Sequence, residues 1–193
     1  PGAAQARAAQ PRTAPLAAGA AKASAGAAPS ADVFGRLFVA DRRPIILYDG
    51  VCNMCNSAVN LAVENDPDAE RLRFAALQST TGRGLLDFCG RAVEDISSMV
   101  VVLPSGECLL KSEAALFVGR QLEANPLLRG VSEAASRLMP RAVRDVAYDG
   151  VATNRYRVLG KRDVMRLEEG GGAAAPGRFV PEPPAAPSAP VAG

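Results

Sequence analysis

The sequence predicts an α/β domain: a three-layer α/β/α sandwich around a mixed sheet, with an extra helical pair on its C-terminal side and disordered tails. Three observations carry this. Short apolar runs alternate with helical patterns from Pro44 onward. One run, Met99–Leu103, is continuous and valine-rich, as a central buried strand is. Pro104-Ser105-Gly106-Glu107 then marks a turn back into a partner strand, so part of the sheet is antiparallel.

Each element has its own reason. Pro44–Tyr48 reads as a buried strand, because Ile45, Ile46 and Leu47 are contiguous apolar residues ahead of a turn. Cys52–Glu64 reads as a helix with Val59 and Val63 on one face, stopped by Asn65-Asp66-Pro67. Arg71–Leu77 alternates Leu72, Phe74 and Ala76 with Arg71, Arg73 and Ala75, the pattern of a half-buried strand. Thr80–Phe88 is a short helix ending near Gly90. Cys108–Lys111 returns as the hairpin partner of Met99–Leu103. Ser112 is expected to cap a helix through about Leu122, with Ala115, Leu116 and Gly119 inward. Two further helices are expected over Leu127–Met139 and from Pro140 to about Leu159, with Pro140 at a favoured helix start. A βαβ unit, then a hairpin and a helix, is the thioredoxin-like arrangement.

The folded part is therefore expected over 43–167, one domain by size. Residues 1–31 are Ala-, Gly- and Pro-rich and carry Arg7, Arg12 and Lys22 with no acidic residue. Residues 1–42 are accordingly expected to be disordered, as an organelle transit peptide or a linker, with chloroplast favoured over mitochondrion. Residues 168–193 read as a disordered Gly/Ala/Pro-rich tail.

The chain has 193 residues, a net charge of +2 and no histidine. The balanced charge gives no global attraction to nucleic acid. No apolar run approaches the roughly 20 residues of a membrane helix. Without histidine there is no Cys–His or Ser–His pair and no mixed cysteine–histidine zinc site.

The chemistry concentrates in Asp49-Gly50-Val51-Cys52-Asn53-Met54-Cys55, where a strand hands over to a helix. Unpaired N–H groups and the positive end of the helix dipole favour a thiolate there. Free cysteine has a pKa near 8.5, so only about 3% is thiolate at pH 7 without such help. A thiolate beside a second thiol can attack a disulfide and then be released by its neighbour. Cys52, nearest the helix start, is expected to be the nucleophile and Cys55 the resolving thiol. For Asp49 two readings stand: proton shuttle to Cys55, or turn residue bonding backbone N–H groups. Cys89 and Cys108 read as small apolar packing residues.

Beyond its C-x-x-C, the chain resembles the DCC family of predicted thiol-disulfide oxidoreductases. The resemblance rests on Asp49–Cys55, Arg73–Ser79, Lys111–Leu116 and Asn154–Asp163, which span most of the folded part. It implies a thioredoxin-like fold and a redox role for Cys52 and Cys55. Thioredoxins carry a cis-proline before the third strand; Asp95-Ile96-Ser97-Ser98-Met99 has none. A narrower substrate or a different docking mode follows.

The expected activity is disulfide exchange with a thiol- or disulfide-bearing protein or a small thiol, without a cofactor. Two alternatives remain from the residues: a thiolate site for Cu(I) or Zn(II), or a non-catalytic interaction module. From Arg129 to Arg162 eight basic residues face Glu133, Asp145 and Asp149. Arg155, Arg157, Lys161 and Arg162 could dock an acidic partner; otherwise they are solvated helix faces with Leu127, Val131 and Leu138 turned inward.

Overall fold

The computed structural model describes residues 30–163 and 177–182. The expected targeting segment up to residue 29, the end of the expected folded part at 164–167, and tail residues 168–176 and 183–193 lie outside them. In chain order the elements are α1 (Ser30–Val39), β1 (Ile45–Tyr48), α2 (Asn53–Glu64), β2 (Arg73–Ala76), α3 (Thr80–Phe88), β3 (Val100–Val102), β4 (Cys108–Leu110), α4 (Lys111–Gln121), α5 (Pro126–Leu138) and α6 (Arg141–Leu159). The sheet order is β2-β1-β3-β4, with β1 parallel to β2 and antiparallel to β3, and β3 antiparallel to β4. This mixed sheet is the expected α/β class and is consistent with a thioredoxin-like fold.

Alternation along each strand makes two cores. Ile46, Tyr48, Phe74, Ala76, Val101 and Leu109 face one side and pack with Val59 and Ala62 of α2, Ala114 of α4 and Leu122. Ile45, Leu47, Ala75, Val100 and Val102 face the other and pack with Phe38 of α1 and Leu85 and Leu86 of α3. Helices thus cover both faces of the sheet.

Several expectations change. Residues within the expected disordered segment 1–42 form α1, which belongs to the folded unit. Phe38 is buried, and Phe34 stacks on Phe88 with centroids 4.4 Å apart. A ten-residue helix has little stability alone; the α3 side of the sheet supplies the apolar partners of Phe34, Leu37 and Phe38. α1 also corrects β2, which is buried on both faces rather than half-buried. Arg73 lies under it, its guanidinium donating to the carbonyls of Leu37 at 2.9 Å and Asp41 at 2.7 Å.

Part of the expected disordered tail is also placed. Phe74 N–H donates to the Arg178 carbonyl at 2.9 Å, and Val180 N–H to the Phe74 carbonyl at 2.8 Å. The open edge of β2 is therefore covered by residues 177–182. Arg178 is buried, and its guanidinium donates to the carbonyls of Val63 and Asp66.

Cys89 and Cys108 are not isolated packing residues but a disulfide, with Cα atoms 5.8 Å apart, that ties the end of α3 to β4. Their separation of 19 residues hides the approach made by the β3–β4 hairpin. Ser112 does not cap α4. β4 runs directly into the helix, Leu110 takes the capping position without a side-chain bond, and the Ser112 hydroxyl donates to Asp145 of α6. On α5 the supposed inner stripe is outside: Leu127, Val131 and Leu138 are exposed. Ser132 and Leu128 face α4 instead, where Gly119 leaves no room for a side chain, since an added Cβ would lie 2.0 Å from Ser132 Oγ.

Candidate active site

β1 ends at Tyr48, and the chain turns through Asp49-Gly50-Val51 before α2 starts. The turn is tied from several directions. Asp49 Oδ1 accepts the Val51 N–H at 3.2 Å and the Gln78 side-chain amide at 2.6 Å. Gln78 in turn accepts the Gly50 N–H at 3.0 Å. Asn56, buried in the first turns of α2, donates to the carbonyls of Gly50 at 3.0 Å and Cys52 at 2.7 Å.

Cys52 sits at the N-cap of α2 and Cys55 one turn in; both thiols are free. Cys55 N–H donates to Cys52 Sγ at 3.4 Å, so the orphan donor of the helix start is spent on sulfur. That donor and the positive end of the helix dipole both face the Cys52 sulfur. Burial pushes the Cys55 thiol up to about 12, and the hydrogen bond to Cys52 and the charges of Cys52 and Asp49 add to it, with Arg155 opposing. The two sulfurs, expected to attack and to resolve in the order Cys52 then Cys55, thus meet different surroundings. Cys52 has the stabilising N–H but 0% exposed surface, whereas Cys55 is partly exposed.

What covers Cys52 is the chain that leaves α6. Asn53 N–H donates to the Gly160 carbonyl at 3.4 Å, and Arg162 N–H to the Val51 carbonyl at 2.8 Å. Cys52 pairs with Lys161 in an antiparallel bridge, and the Asn53 amide donates to the Leu159 carbonyl at 2.7 Å. Residues 159–162 form a strap across the helix mouth.

Asp49 is buried and its second oxygen faces α6. Oδ2 accepts from the Arg155 guanidinium at 3.0 Å and from the Tyr156 hydroxyl. Burial works against the Arg155 charge, but Tyr156 and Asp49 outweigh it and hold its pKa above the ordinary value. The same guanidinium donates to the carbonyls of Ile96 at 2.8 Å and Ser97 at 3.0 Å. Arg155 therefore clamps the segment before β3, where the sequence lacks a proline, to the C-x-x-C turn. This removes Arg155 from any docking surface: it is buried and neutralised, while Arg157, Lys161 and Arg162 are exposed.

The structure brings the expected Cys52, Cys55 and Asp49 together at one turn, and adds Gln78, Arg155 and Tyr156, which sequence reasoning missed as their partners. Gln78 and Asn154–Asp163 lay in segments that carried the family resemblance, which was the available signal. Tyr148, also missed, accepts the Met99 N–H at 2.9 Å, and burial raises its pKa. Among the described residues, no group of three or more Cys, Asp or Glu side chains is placed to share a metal ion.

Fold and site define an α/β protein of thioredoxin-like architecture with a dithiol at a helix mouth. The chain belongs to the DCC1-like thiol-disulfide oxidoreductase family, whose model matches residues 46–161. It is 41% identical over 131 residues to a chloroplastic DCC family protein of Arabidopsis thaliana, covering 67% of this chain and 73% of that protein. It is 38% identical over 123 residues to the uncharacterized protein YuxK of Bacillus subtilis strain 168, covering 64% of this chain and 85% of that protein. No solved structure matches it.

Proposed function

We propose that the chain exchanges disulfides with thiol-bearing substrates through Cys52 and Cys55, with Cys55 meeting the substrate and Cys52 resolving the mixed disulfide. The observation that carries this is the division of roles in the pair: Cys52 has 0% exposed surface and accepts the Cys55 N–H at 3.4 Å, while Cys55 is partly exposed. A sulfur stabilised as an anion is a good leaving group, and an accessible sulfur is the one a partner can attack. In the oxidising direction a substrate thiolate attacks Cys55 Sγ of the Cys52–Cys55 disulfide. Cys52 leaves as a thiolate at the helix mouth. A second substrate thiolate then attacks the substrate sulfur, releasing Cys55, which takes a proton. The reverse sequence reduces a disulfide. Asp49 acts here as the turn residue that fixes the helix start, and through Arg155 it also fixes Ile96 and Ser97.

The test is trapping with a thiol-reactive disulfide reagent. Cys52→Ser is expected to accumulate the mixed disulfide at Cys55, and Cys55→Ser to accumulate little, as read by intact mass. The opposite pattern reverses the two roles. Trapping in neither variant, with no Cys52–Cys55 disulfide in the parent chain, overturns the exchange reading.

Placement in the chloroplast is supported by the chloroplastic Arabidopsis relative and by the acid-free, basic composition of residues 1–31. A fluorescent fusion of residues 1–42 that stays outside plastids would count against it.

A further inference from the structure

We infer that the cavity beneath the C-x-x-C turn is a binding site for a small, electrically neutral, apolar disulfide or its thiol, which meets Cys55 within it. The inference deepens the exchange reading and rests on it. The cavity has a volume of about 350 Å³, opens at one side to solvent, and is lined by β1, β2, α2, α4, α5 and α6. That is the size of a small-molecule site, where apolar walls and a few polar groups set orientation. Ile46, Val59, Phe74, Val118 and Leu122 supply the walls.

Two features choose the ligand. Cys55 lines the cavity and Cys52 does not, so a bound molecule meets only the sulfur that the exchange reading puts in contact with substrate. Asp49 and Arg155 are the charged residues in the lining, and they neutralise each other across 3.0 Å. A charged ligand would thus be buried without a free counter-charge.

The step balances without a further reagent. Starting from the dithiol, the Cys55 sulfur attacks one sulfur of R–S–S–R as its proton passes to the departing sulfur, releasing the first R–SH. Cys52 sulfur attacks Cys55 in the mixed disulfide, and the second R–S⁻ leaves. The two cysteine protons end on the two released sulfurs. The cysteines are oxidised by two electrons and the ligand is reduced by two.

The experiment uses the reduced full chain with dibenzyl disulfide, which is neutral and aromatic, or glutathione disulfide, which is charged. Loss of free Cys52 and Cys55 thiols is followed by mass tagging, each rate being divided by that of the same oxidant with dithiothreitol. The normalised preference for dibenzyl disulfide is expected to be roughly tenfold or more, and to fall to about one in Val118→Phe and in Ala58→Leu, which fill the cavity and its mouth. A redox-inert isostere, 1,4-diphenylbutane, is expected to bind the Cys52→Ser/Cys55→Ser chain saturably, read by thermal shift, and to lose binding with Val118→Phe or Ala58→Leu added. A preference near one in the unsubstituted chain, or one that survives both filling variants, overturns the inference. Saturable isostere binding with no reaction from either disulfide overturns the sulfur step together with the exchange reading. Exchange with both disulfides but no isostere binding overturns the pocket alone.

Discussion

At the scale of single residues the site is a matter of where one proton and one charge are kept. Cys55 holds its proton because burial disfavours its anion and its hydrogen bond to Cys52 adds to that. Two outcomes follow. In the parent chain, iodoacetamide labelling of Cys55 should keep rising with pH through 10 without a plateau, because its thiolate forms only toward about 12. In Cys52→Ser, burial and the Asp49 charge still raise the thiol and Arg155 still opposes them, while the contributions of Cys52 vanish. Labelling of Cys55 at pH 8 should accelerate several-fold, roughly tenfold for each unit by which the thiol pKa falls. An unchanged labelling profile would show that Cys52 does not set the protonation of Cys55. The same shift has a sign for stability. The folded state holds this proton more tightly than the unfolded chain, so the contribution is present below about 8.5 and is lost as pH rises toward the folded value. Asp49 belongs to the same economy of charge. Its carboxylate is buried beside Arg155, so neither group meets the low dielectric alone.

At the scale of elements, α2 and the exit of α6 act on each other. The strap at 159–162 holds to Val51 and Asn53 by backbone and amide hydrogen bonds, and Gly160 turns it with a φ of +74°. An L side chain at that angle is strained by about 1–2 kcal/mol. Gly160→Val should therefore loosen the strap and raise the labelling rate of Cys52, with α6 still folded by circular dichroism. If Cys52 stayed as protected as in the parent, the strap would not be what covers it. Element boundaries show what sequence pattern could reach. Thr80–Phe88 is α3 to the residue, since Ser79 supplies the cap and its hydroxyl accepts the Gly82 N–H at 2.9 Å. β1, β3 and β4 fall inside the expected runs. α5 shows where pattern fails. Leu127, Val131 and Leu138 make an apolar stripe, yet that stripe faces outward, because the close approach of Gly119 and Ser132 decides which side meets α4.

At the scale of the whole molecule, segments distant in sequence are fastened to the sheet. α1 covers one face, residues 177–182 cover the edge of β2, and the Cys89–Cys108 disulfide joins α3 to β4. Closing a loop of this separation, 19 residues, restricts the unfolded chain by roughly 3 kcal/mol. Cys108→Ser should lower unfolding stability by about that amount, measured by urea denaturation of the oxidised protein. Equal midpoints for the two proteins under oxidising conditions would mean the pair does not cross-link the folded chain.

Local signals were enough for the order of strands and helices from β1 onward, the C-x-x-C at a helix mouth, and Asp49 before it; α1 escaped them. Each depends on spacing along the chain: apolar periodicity, a turn, a cap. The tertiary structure alone decided which sulfur is reachable, because residues 159–162 lie over Cys52. It alone turned Arg155 from a surface charge into the buried partner of Asp49, 106 residues away. It also paired Cys89 with Cys108 and opened the cavity onto Cys55. Burial and pairing are properties of neighbours in space, and a linear pattern carries no record of which distant segment will arrive to make them.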